Sequence, residues 1–212
     1  MKKLDFIYKR HSVRRFKEDN VPMEDINEII KAATYAPSGR NLQNWHFVVV
    51  KNRDKINQMA AIIEKKGHEL ASTVDSDELK QGFLKYLKFA TVFKNAPVAI
   101  LVFAGPYPNI GLEILKNNGA SSEEIHDLLR PASGIQNIAA ATENLMLAAA
   151  NMGYGTCWMT SPNFASKELM DFVGLDKEGY YLALMTPLGV PEDKELTSPP
   201  RKSLDEVMTV IE

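Results

Sequence analysis

The chain has 212 residues, of which 45% are hydrophobic, so it can form one domain of ordinary size with a full core. Its 25 Lys and Arg residues against 27 Asp and Glu residues leave a net charge of -2, which argues against a nucleic-acid backbone as the main partner. The single cysteine, Cys157, excludes an intramolecular disulfide and a cysteine-based metal cluster, and it fits a reducing cytoplasm.

The sequence carries no signal for secretion, membrane insertion or metal binding. No apolar stretch of signal-peptide length precedes residue 10, and the longest apolar run, residues 96–104, is far shorter than the roughly 20 residues that span a bilayer. The four histidines show no paired ligand spacing: His11, His46, His68 and His126. We therefore predict one cytoplasmic domain over residues 1–212, with no membrane partner, no nucleic-acid partner and no metal site.

The first predicted element is an extended basic segment, Arg10-His11-Ser12-Val13-Arg14-Arg15-Phe16. Because alternate residues of an extended chain point to the same side, Arg10, Ser12 and Arg14 converge while Val13 and Arg15 face away. Guanidinium and hydroxyl groups in this arrangement suit a phosphate monoester, and hence a phosphorylated cofactor. A solvated basic face is the alternative, because positive charge is concentrated here against Asp5 alone: Lys2, Lys3, Lys9, Arg10, Arg14, Arg15 and Lys17.

A helix and a strand follow, joined by a polar loop. Pro22 suits a first helical turn, the apolar residues after it recur at helical spacing, and Pro37 ends that helix. The loop over residues 36–44 then delivers polar side chains beside a strand over residues 45–50. Two solvent-facing helices are predicted between about residues 55 and 94, with an interruption near Ser72, and a buried strand over residues 96–104.

The middle of the chain contains an irregular segment and then a buried helix. We expect residues 105–122 to be mostly irregular, because Pro106, Pro108, Gly111 and Gly119 interrupt them, and to form either a cover over a pocket or a plain surface excursion. Ser121 and Glu124 match a capping box that opens a helix, which Pro131 kinks before it continues to residue 152. Its alanine-rich part, residues 135–150, is predicted to be central, and it suits a subunit interface or core packing.

The last third of the chain alternates strands and helices. Strands are predicted over residues 153–159, with Cys157 buried in the strand, and over residues 180–190, with a short helix over residues 165–173 between them. Near the end, Ser203 and Glu206 match a second capping box, which places Arg201 and Lys202 just before a helix.

Four segments, in this order and spacing, resemble the flavin-dependent nitroreductase family across nearly the whole chain. They are Arg10-His11-Ser12-Val13-Arg14-Arg15-Phe16, Ala36-Pro37-Ser38-Gly39-Arg40-Asn41-Leu42-Gln43-Asn44-Trp45, Gly153-Tyr154-Gly155-Thr156-Cys157-Trp158 and Pro200-Arg201-Lys202. The resemblance implies an α+β fold with a mostly antiparallel central sheet wrapped by helices. It also implies an intertwined homodimer with two FMN molecules at the subunit interface.

The resemblance assigns the residues around FMN. Arg10 and Ser12 would hold the phosphate, with Arg14 toward the ribityl chain or pyrimidine edge and His11 among the residues that bind the cofactor. Arg201 and Lys202 would close the phosphate site. The flavin of the partner subunit would be met by Pro37, Ser38, Gly39 and Asn41. A backbone N–H would be donated toward flavin N5 by the segment with Met159, Thr160 and Ser161.

Three features depart from the family pattern or stay open. Asn44 stands where relatives often have proline, so we expect a looser loop, and Arg40 adds a charge near the proposed pocket. The basic side chain that many relatives place near flavin N1 is not identifiable, because residues 80–94 offer several lysines.

The function implied is that of an FMN-dependent NAD(P)H oxidoreductase. A nicotinamide cofactor gives hydride to flavin N5 and leaves, and an electron-poor acceptor such as a nitroaromatic or a quinone then takes the reducing equivalents. No side chain is a catalytic residue, because the flavin carries the chemistry. A Rossmann dehydrogenase is disfavoured, since the nearest approach to its glycine fingerprint is Gly153-Tyr154-Gly155.

Other functional interpretations of the same residues stay open. The flavin could serve reductive dehalogenation or flavin breakdown, as in related families. A flavin-binding or redox-sensing protein without turnover, and a basic-armed binding module without flavin, are the non-enzymatic alternatives.

Overall fold

An antiparallel sheet of four strands lies at the centre of the fold, which we describe from a computed structural model for residues 4–193 and 197–212. Lys2 and Lys3 of the basic N-terminal stretch fall outside these residues. The strands are β1 (Trp45–Val50), β2 (Val98–Ala104), β3 (Gly155–Thr156) and β4 (Tyr181–Gly189), in the spatial order β1-β2-β4-β3. Every neighbouring pair is antiparallel, so the predicted α+β fold with an antiparallel sheet is confirmed.

Helices cover both faces of this sheet. They are α1 (Asp5–Tyr8), α2 (Met23–Thr34), α3 (Arg53–Ser72), α4 (Asp77–Ala90), α5 (Ile110–Asn117), α6 (Ser122–Leu129), α7 (Ser133–Asn151), α8 (Ser166–Val173) and α9 (Leu204–Val207), with 3-10 turns at Gly39–Asn41, Val92–Asn95 and Ser161–Ala165. Among the described residues, none of these helices is long and apolar enough to cross a membrane.

Strand β2 shows why the sequence contains so long an apolar run. Its even-numbered residues, including Ile100 and Val102, pack against α2 and α7, while Leu101 and Phe103 pack on the opposite face with α3 and α4. Since successive side chains of a strand point to opposite faces, a strand that is covered on both sides must be apolar throughout. All seven residues of β2 are buried.

The predicted central helix is confirmed as α7, but its start is not where we expected it. Pro131 does not kink one continuous helix: α6 ends at Leu129, and α7 begins at Ser133 after Ala132, which has a φ of +50°. Proline cannot donate the backbone hydrogen bond that a continuing helix needs, so two helices form instead of one. The capping boxes at Ser121 and Ser203 are both present.

Two further predictions are wrong in part. Residues 105–122 are not mostly irregular, because Asn109 caps the eight-residue helix α5, and its side chain accepts a hydrogen bond from the Leu112 N–H. The strand predicted over residues 153–159 is reduced to Gly155–Thr156 and an isolated bridge at Met159. Cys157 is therefore buried but lies outside the strand.

Two buried threonines allow a test of the energetics of this core. The Thr142 hydroxyl is fully buried in α7 with no hydrogen-bond partner among the described residues. We expect Thr142→Val, which has the same shape, to raise the free energy of unfolding by about 1 kcal/mol, because it removes a polar group that is buried without a partner. Urea denaturation measures this change.

Thr186 is the matched control. It is equally buried, but its hydroxyl accepts from the Cys157 N–H at 3.2 Å and donates to the Pro187 carbonyl at 3.0 Å. Thr186→Val should therefore destabilise the protein by about 1–3 kcal/mol. Equal losses from the two substitutions would show that the Thr142 hydroxyl is satisfied after all.

Candidate functional site

The basic N-terminal segment runs alongside strand β3. Ser12 forms a parallel bridge with Thr156, and the Val13 N–H donates to the Thr156 carbonyl at 2.8 Å. A Cβ at Gly155 would lie 2.7 Å from the Val13 side chain, so only glycine permits this close approach. The segment is therefore held in an extended form at the edge of the sheet.

This geometry separates the side chains of the motif as the alternation predicts. Val13 is buried in a small cluster with Phe16 and Ala96, and Arg15 pairs with Asp193. Arg10, Ser12 and Arg14 lie together on the wall of one cavity. His11 also lines this cavity, although the alternation of an extended segment would turn it to the side opposite Arg10 and Ser12.

The C-terminal segment closes the same cavity. Ser198 Oγ lies 3.0 Å from His11 Nδ1, and Arg201 lines the same volume of about 220 Å³ as Arg10 and Arg14. Lys202 is exposed and is not among the lining residues. We call this space the cationic cavity; its walls are Arg10, His11, Ser12, Arg14, Thr197, Ser198, Pro199 and Arg201.

The cationic cavity has a surplus of positive charge. Of its three guanidinium groups, Arg10 has a carboxylate nearby: its Nε lies 3.7 Å from Oε1 of Glu143 on α7. This contact uses the Nε side of the guanidinium and leaves the terminal fork of Arg10 for another acceptor. Guanidinium forks and a serine hydroxyl are the donors that a phosphate group binds best.

Cys157 lies directly beside the cationic cavity. Burial raises the pKa of its thiol, while the Arg14 charge, a hydrogen bond with the Ser12 side chain and the Arg10 charge pull that pKa down. Cys157 as a whole is 3% exposed, so its side chain is a packing group under the cavity wall.

A second cavity has a volume of about 360 Å³. It lies between α3, α4 and the turn after α4, and one of its walls is Asn95, whose side chain donates to the Arg14 carbonyl at 3.4 Å. Of the lysines in residues 80–94, Lys88 and Lys94 line it. Lys94 is already paired with Glu64 at 3.1 Å, whereas Lys88 forms no ion pair with a carboxylate of the described residues.

The loop over residues 36–44 has an unusual backbone. Arg40, Asn41 and Gln43 have φ values of +56°, +53° and +47°, a region that non-glycine residues seldom adopt. Local hydrogen bonds hold it: the Gln43 N–H donates to Ser38 Oγ at 3.1 Å, and the Gln43 side chain donates to Asn41 Oδ1 at 3.1 Å. None of Pro37, Ser38, Gly39 and Asn41 lines the cationic cavity.

The expectation of a looser loop at Asn44 is wrong. Asn44 is 5% exposed, and its Nδ2 donates to the carbonyls of Gly105 at 3.0 Å and Gly134 at 3.3 Å. Its Oδ1 accepts from Asn137 Nδ2 at 2.8 Å, and Asn137 Oδ1 in turn accepts from the Gly39 N–H at 3.0 Å. A proline could make none of these side-chain bonds, so the amide anchors the loop to α7.

The segment after Trp158 offers fewer backbone donors than we expected. Met159 exchanges both of its backbone hydrogen bonds with Met185, at 3.0 and 2.9 Å, so its N–H is not available to a ligand. Thr160 is exposed and Ser161 is half-buried, which leaves their N–H groups for that role.

Sequence reasoning missed Asn137, Glu143 and Ser198. The first two are polar residues in the alanine-rich helix α7, and that interruption of an apolar pattern was the available signal. Ser198 carries no such signal, because its contact with His11 joins residues 187 positions apart.

Comparison with known proteins adds a family and relatives. The sequence model of the nitroreductase family matches residues 7–190. A putative NADH dehydrogenase/NAD(P)H nitroreductase of Archaeoglobus fulgidus is 28% identical over 194 residues, which cover 91% of this chain and 87% of that protein. Iodotyrosine deiodinase 1 of Mus musculus is 29% identical over 216 residues, which cover 98% of this chain and 68% of that protein.

Solved structures share the fold. A BluB-like flavoprotein from Clostridium difficile 630 is 42% identical, with a TM-score of 0.93 over the whole of both chains. The FMN-dependent nitroreductase NfnB of Mycobacterium smegmatis, solved in complex with NADPH, is 20% identical with a TM-score of 0.70, covering 98% of this chain and 96% of that one. At that identity the second likeness concerns the fold alone.

Two asparagines of the loop give a matched pair of variants. We expect Asn44→Ala to lower the free energy of unfolding by about 2–3 kcal/mol, because it removes a buried amide and leaves its partners unpaired. Asn41→Ala should lower the free energy of unfolding by less, about 0.5–1 kcal/mol. Asn41 is exposed, and the main cost is that alanine tolerates the positive φ at this position less well than asparagine does. Thermal or urea unfolding of both variants checks this order, and the reverse order would contradict the anchoring role of Asn44.

Proposed function

Because the chain belongs to the nitroreductase family, we propose that it binds FMN and works as an FMN-dependent NAD(P)H oxidoreductase. The observation that carries the proposal is the cationic cavity, in which Arg10, Ser12, Arg14 and Arg201 meet. Family membership supports oxidoreductase chemistry. The choice of cofactor rests on the donors of the cavity.

The residues present fit the phosphate of FMN. A phosphate dianion that is taken partly out of water needs several charge-assisted donors. The cavity offers three guanidinium groups and the Ser12 hydroxyl, together with His11 and Ser198, which join its two walls. The one carboxylate close to these guanidinium groups in the described residues, Glu143, contacts Arg10 at its Nε side.

We also propose that the protein is a homodimer with two cofactor sites at the subunit interface. Pro37, Ser38, Gly39 and Asn41 do not line the cationic cavity, and we assign them to contacts with the flavin that the second subunit holds. Apolar side chains at both ends of the described chain support this assembly. Tyr8 is 65% exposed, Val210 67% and Ile211 93%, and exposed apolar ends of this kind favour burial against another chain.

The residues of this chain would have distinct roles in catalysis. A bound flavin supplies hydride transfer at N5, from NAD(P)H and then to an electron-poor acceptor. Arg10, Ser12, Arg14 and Arg201 hold the phosphate, and a backbone N–H at Thr160 or Ser161 donates toward the reacting edge. To Lys88, which lines the cavity between α3 and α4, we assign the positive charge that a reduced, anionic ring system would need.

The acceptors we propose are nitroaromatics and quinones, reduced by a ping-pong reaction in a single cytoplasmic domain over residues 1–212. NAD(P)H would visit and leave, because no dinucleotide fingerprint follows a strand. The likeness to iodotyrosine deiodinase 1 over 98% of the chain favours reductive dehalogenation as the second candidate. Both reactions use the same cofactor site.

The phosphate assignment is tested by comparing FMN with riboflavin, which lacks the phosphate. We expect Arg10→Ala and Arg201→Ala each to weaken FMN binding by about 1–3 kcal/mol, the cost of one charged hydrogen bond. Neither variant should change riboflavin binding, as measured by quenching of flavin fluorescence. Arg15→Ala is the control, because Arg15 faces away toward Asp193 and its loss should leave both affinities unchanged. Unaltered FMN affinity in the Arg10 and Arg201 variants would refute the assignment.

The hydride reaction is tested on the purified protein under anaerobic conditions. We expect a yellow protein that releases FMN on denaturation and whose flavin absorbance near 450 nm is bleached by NADH or NADPH. Addition of a quinone or a nitroaromatic should restore the colour, because the acceptor takes up the reducing equivalents. A bound flavin that stays oxidised with both nicotinamides would exclude the proposed reaction while leaving FMN binding intact.

A further inference from the structure

The polypeptide just after β2 lies directly on the loop over residues 36–44. We call residues 105–109 the cover segment and residues 36–44 the cofactor loop. The cover segment leads into α5 and α6, which form a helical hairpin. Contacts between the cover segment and the cofactor loop link this hairpin to the proposed FMN site.

Tyr107 of the cover segment fits against two glycines. A Cβ at Gly39 of the cofactor loop would lie 2.4 Å from the Tyr107 hydroxyl oxygen, and one at Gly134 of α7 would lie 2.7 Å from Tyr107 Cβ. Both glycines therefore make room for this ring. The tyrosine is held between the cofactor loop and the start of α7.

Hydrogen bonds join the same pieces on either side of Tyr107. Arg40 of the cofactor loop donates from Nη2 to the Pro108 carbonyl at 2.9 Å. The Gly105 N–H donates to the Asn44 carbonyl at 2.6 Å, and the Asn44 side chain donates to the Gly105 carbonyl at 3.0 Å. The cover segment is thus bound to the cofactor loop at both of its ends.

The helical hairpin has little other support. Neither α5 nor α6 contains a buried residue, the two helices pack against each other, and Ile110 and Ile114 are 61% and 54% exposed. Regions with so few buried contacts open locally at low free energy. The position of the hairpin therefore depends on the cover segment that precedes it.

The cover segment and the hairpin also enclose a cavity of about 210 Å³. Its walls include Tyr107, Tyr181 and the apolar side chains of Leu129 and Ile135, and none of its lining residues is charged. Burial raises the pKa of Tyr181, so this tyrosine stays neutral at physiological pH. A flat, uncharged aromatic molecule suits such walls.

We propose that Arg40 is a positioning residue through which cofactor binding orders the cover segment, the helical hairpin and the uncharged cavity between them. This inference rests on the proposed function, since it takes the cofactor loop to contact FMN. Arg40 is held at a φ of +56°, which a non-glycine residue keeps only when its surroundings fix it. A ligand that stabilises the loop therefore stabilises the Arg40 contact with Pro108 as well.

The test is hydrogen–deuterium exchange of the full-length protein with and without FMN. In the wild type, FMN should slow exchange in residues 36–44 and also in residues 110–129. In Arg40→Gly, which keeps the positive φ without strain, FMN should still protect residues 36–44. Protection of residues 110–129 should fall by about fivefold, because one hydrogen bond that couples them to the loop is gone.

Two further variants distinguish the contact of the Arg40 side chain with Pro108 from the effect of losing a positive charge and from a general loss of order in the hairpin. Arg40→Lys should restore part of the protection, since an ammonium can still donate to the Pro108 carbonyl. Arg130→Ala removes the same charge from the end of the hairpin, where Arg130 pairs with Asp127, and should leave the effect of FMN unchanged. With menadione as acceptor, Arg40→Gly should raise KM several-fold while the rate of flavin reduction by NADH stays the same.

The outcomes distinguish this inference from the proposed function. If FMN protects neither region in the wild type, the cofactor assignment fails. If FMN protects residues 110–129 equally in the wild type and in Arg40→Gly, the hairpin contacts the flavin directly and the role of Arg40 is wrong. Protection of residues 36–44 alone in the wild type would likewise overturn the coupling.

Discussion

The packing of an extended N-terminal segment against strand β3 is the constraint on which the rest of the site depends. The bridge between Ser12 and Thr156, with Val13 buried against Gly155, fixes which side chains face outward. Arg10 and Arg14 then meet Arg201, from the other end of the chain, around one cavity. Three guanidinium groups that lie close together repel one another. An anion bound between them would offset this repulsion and so stabilise the folded cavity.

Helix α7 connects the two halves of the proposed site. Its Glu143 contacts Arg10 of the cationic cavity, and Asn137 of the same helix accepts from the Gly39 N–H and donates to Asn44. Buried polar groups that are fully hydrogen-bonded specify one arrangement, because any other leaves them unpaired. The alanine-rich helix is therefore both a packing element under the sheet and the frame on which the cofactor loop and the cavity are oriented.

Local sequence rules predicted the elements well where the signal was local. The capping boxes at Ser121 and Ser203, the helix after Pro22 and the apolar strand β2 each depend on neighbouring residues, and each forms as expected. One error arises where a tertiary contact decides. Asn44 looked like a substitution that loosens a loop, yet Gly105, Gly134 and Asn137 convert it into an anchor. The error at α5 has a local cause instead, because Asn109 caps this helix although prolines lie on either side of Tyr107.

The sequence by itself determined the alternation that turns Arg10, Ser12 and Arg14 to one side, because periodicity acts over a few positions. Four motifs in order gave the family, and the resemblance to that family implied the antiparallel α+β architecture. Only the tertiary structure decided that Ser198 lines the cavity together with Arg201 whereas Lys202 does not, that Lys88 lies in the cavity between α3 and α4, and that Tyr107 and Arg40 join the cover segment to the cofactor loop. Contacts between residues tens to hundreds of positions apart follow from how the helices pack on the sheet, and a pattern of neighbouring residues does not contain that information.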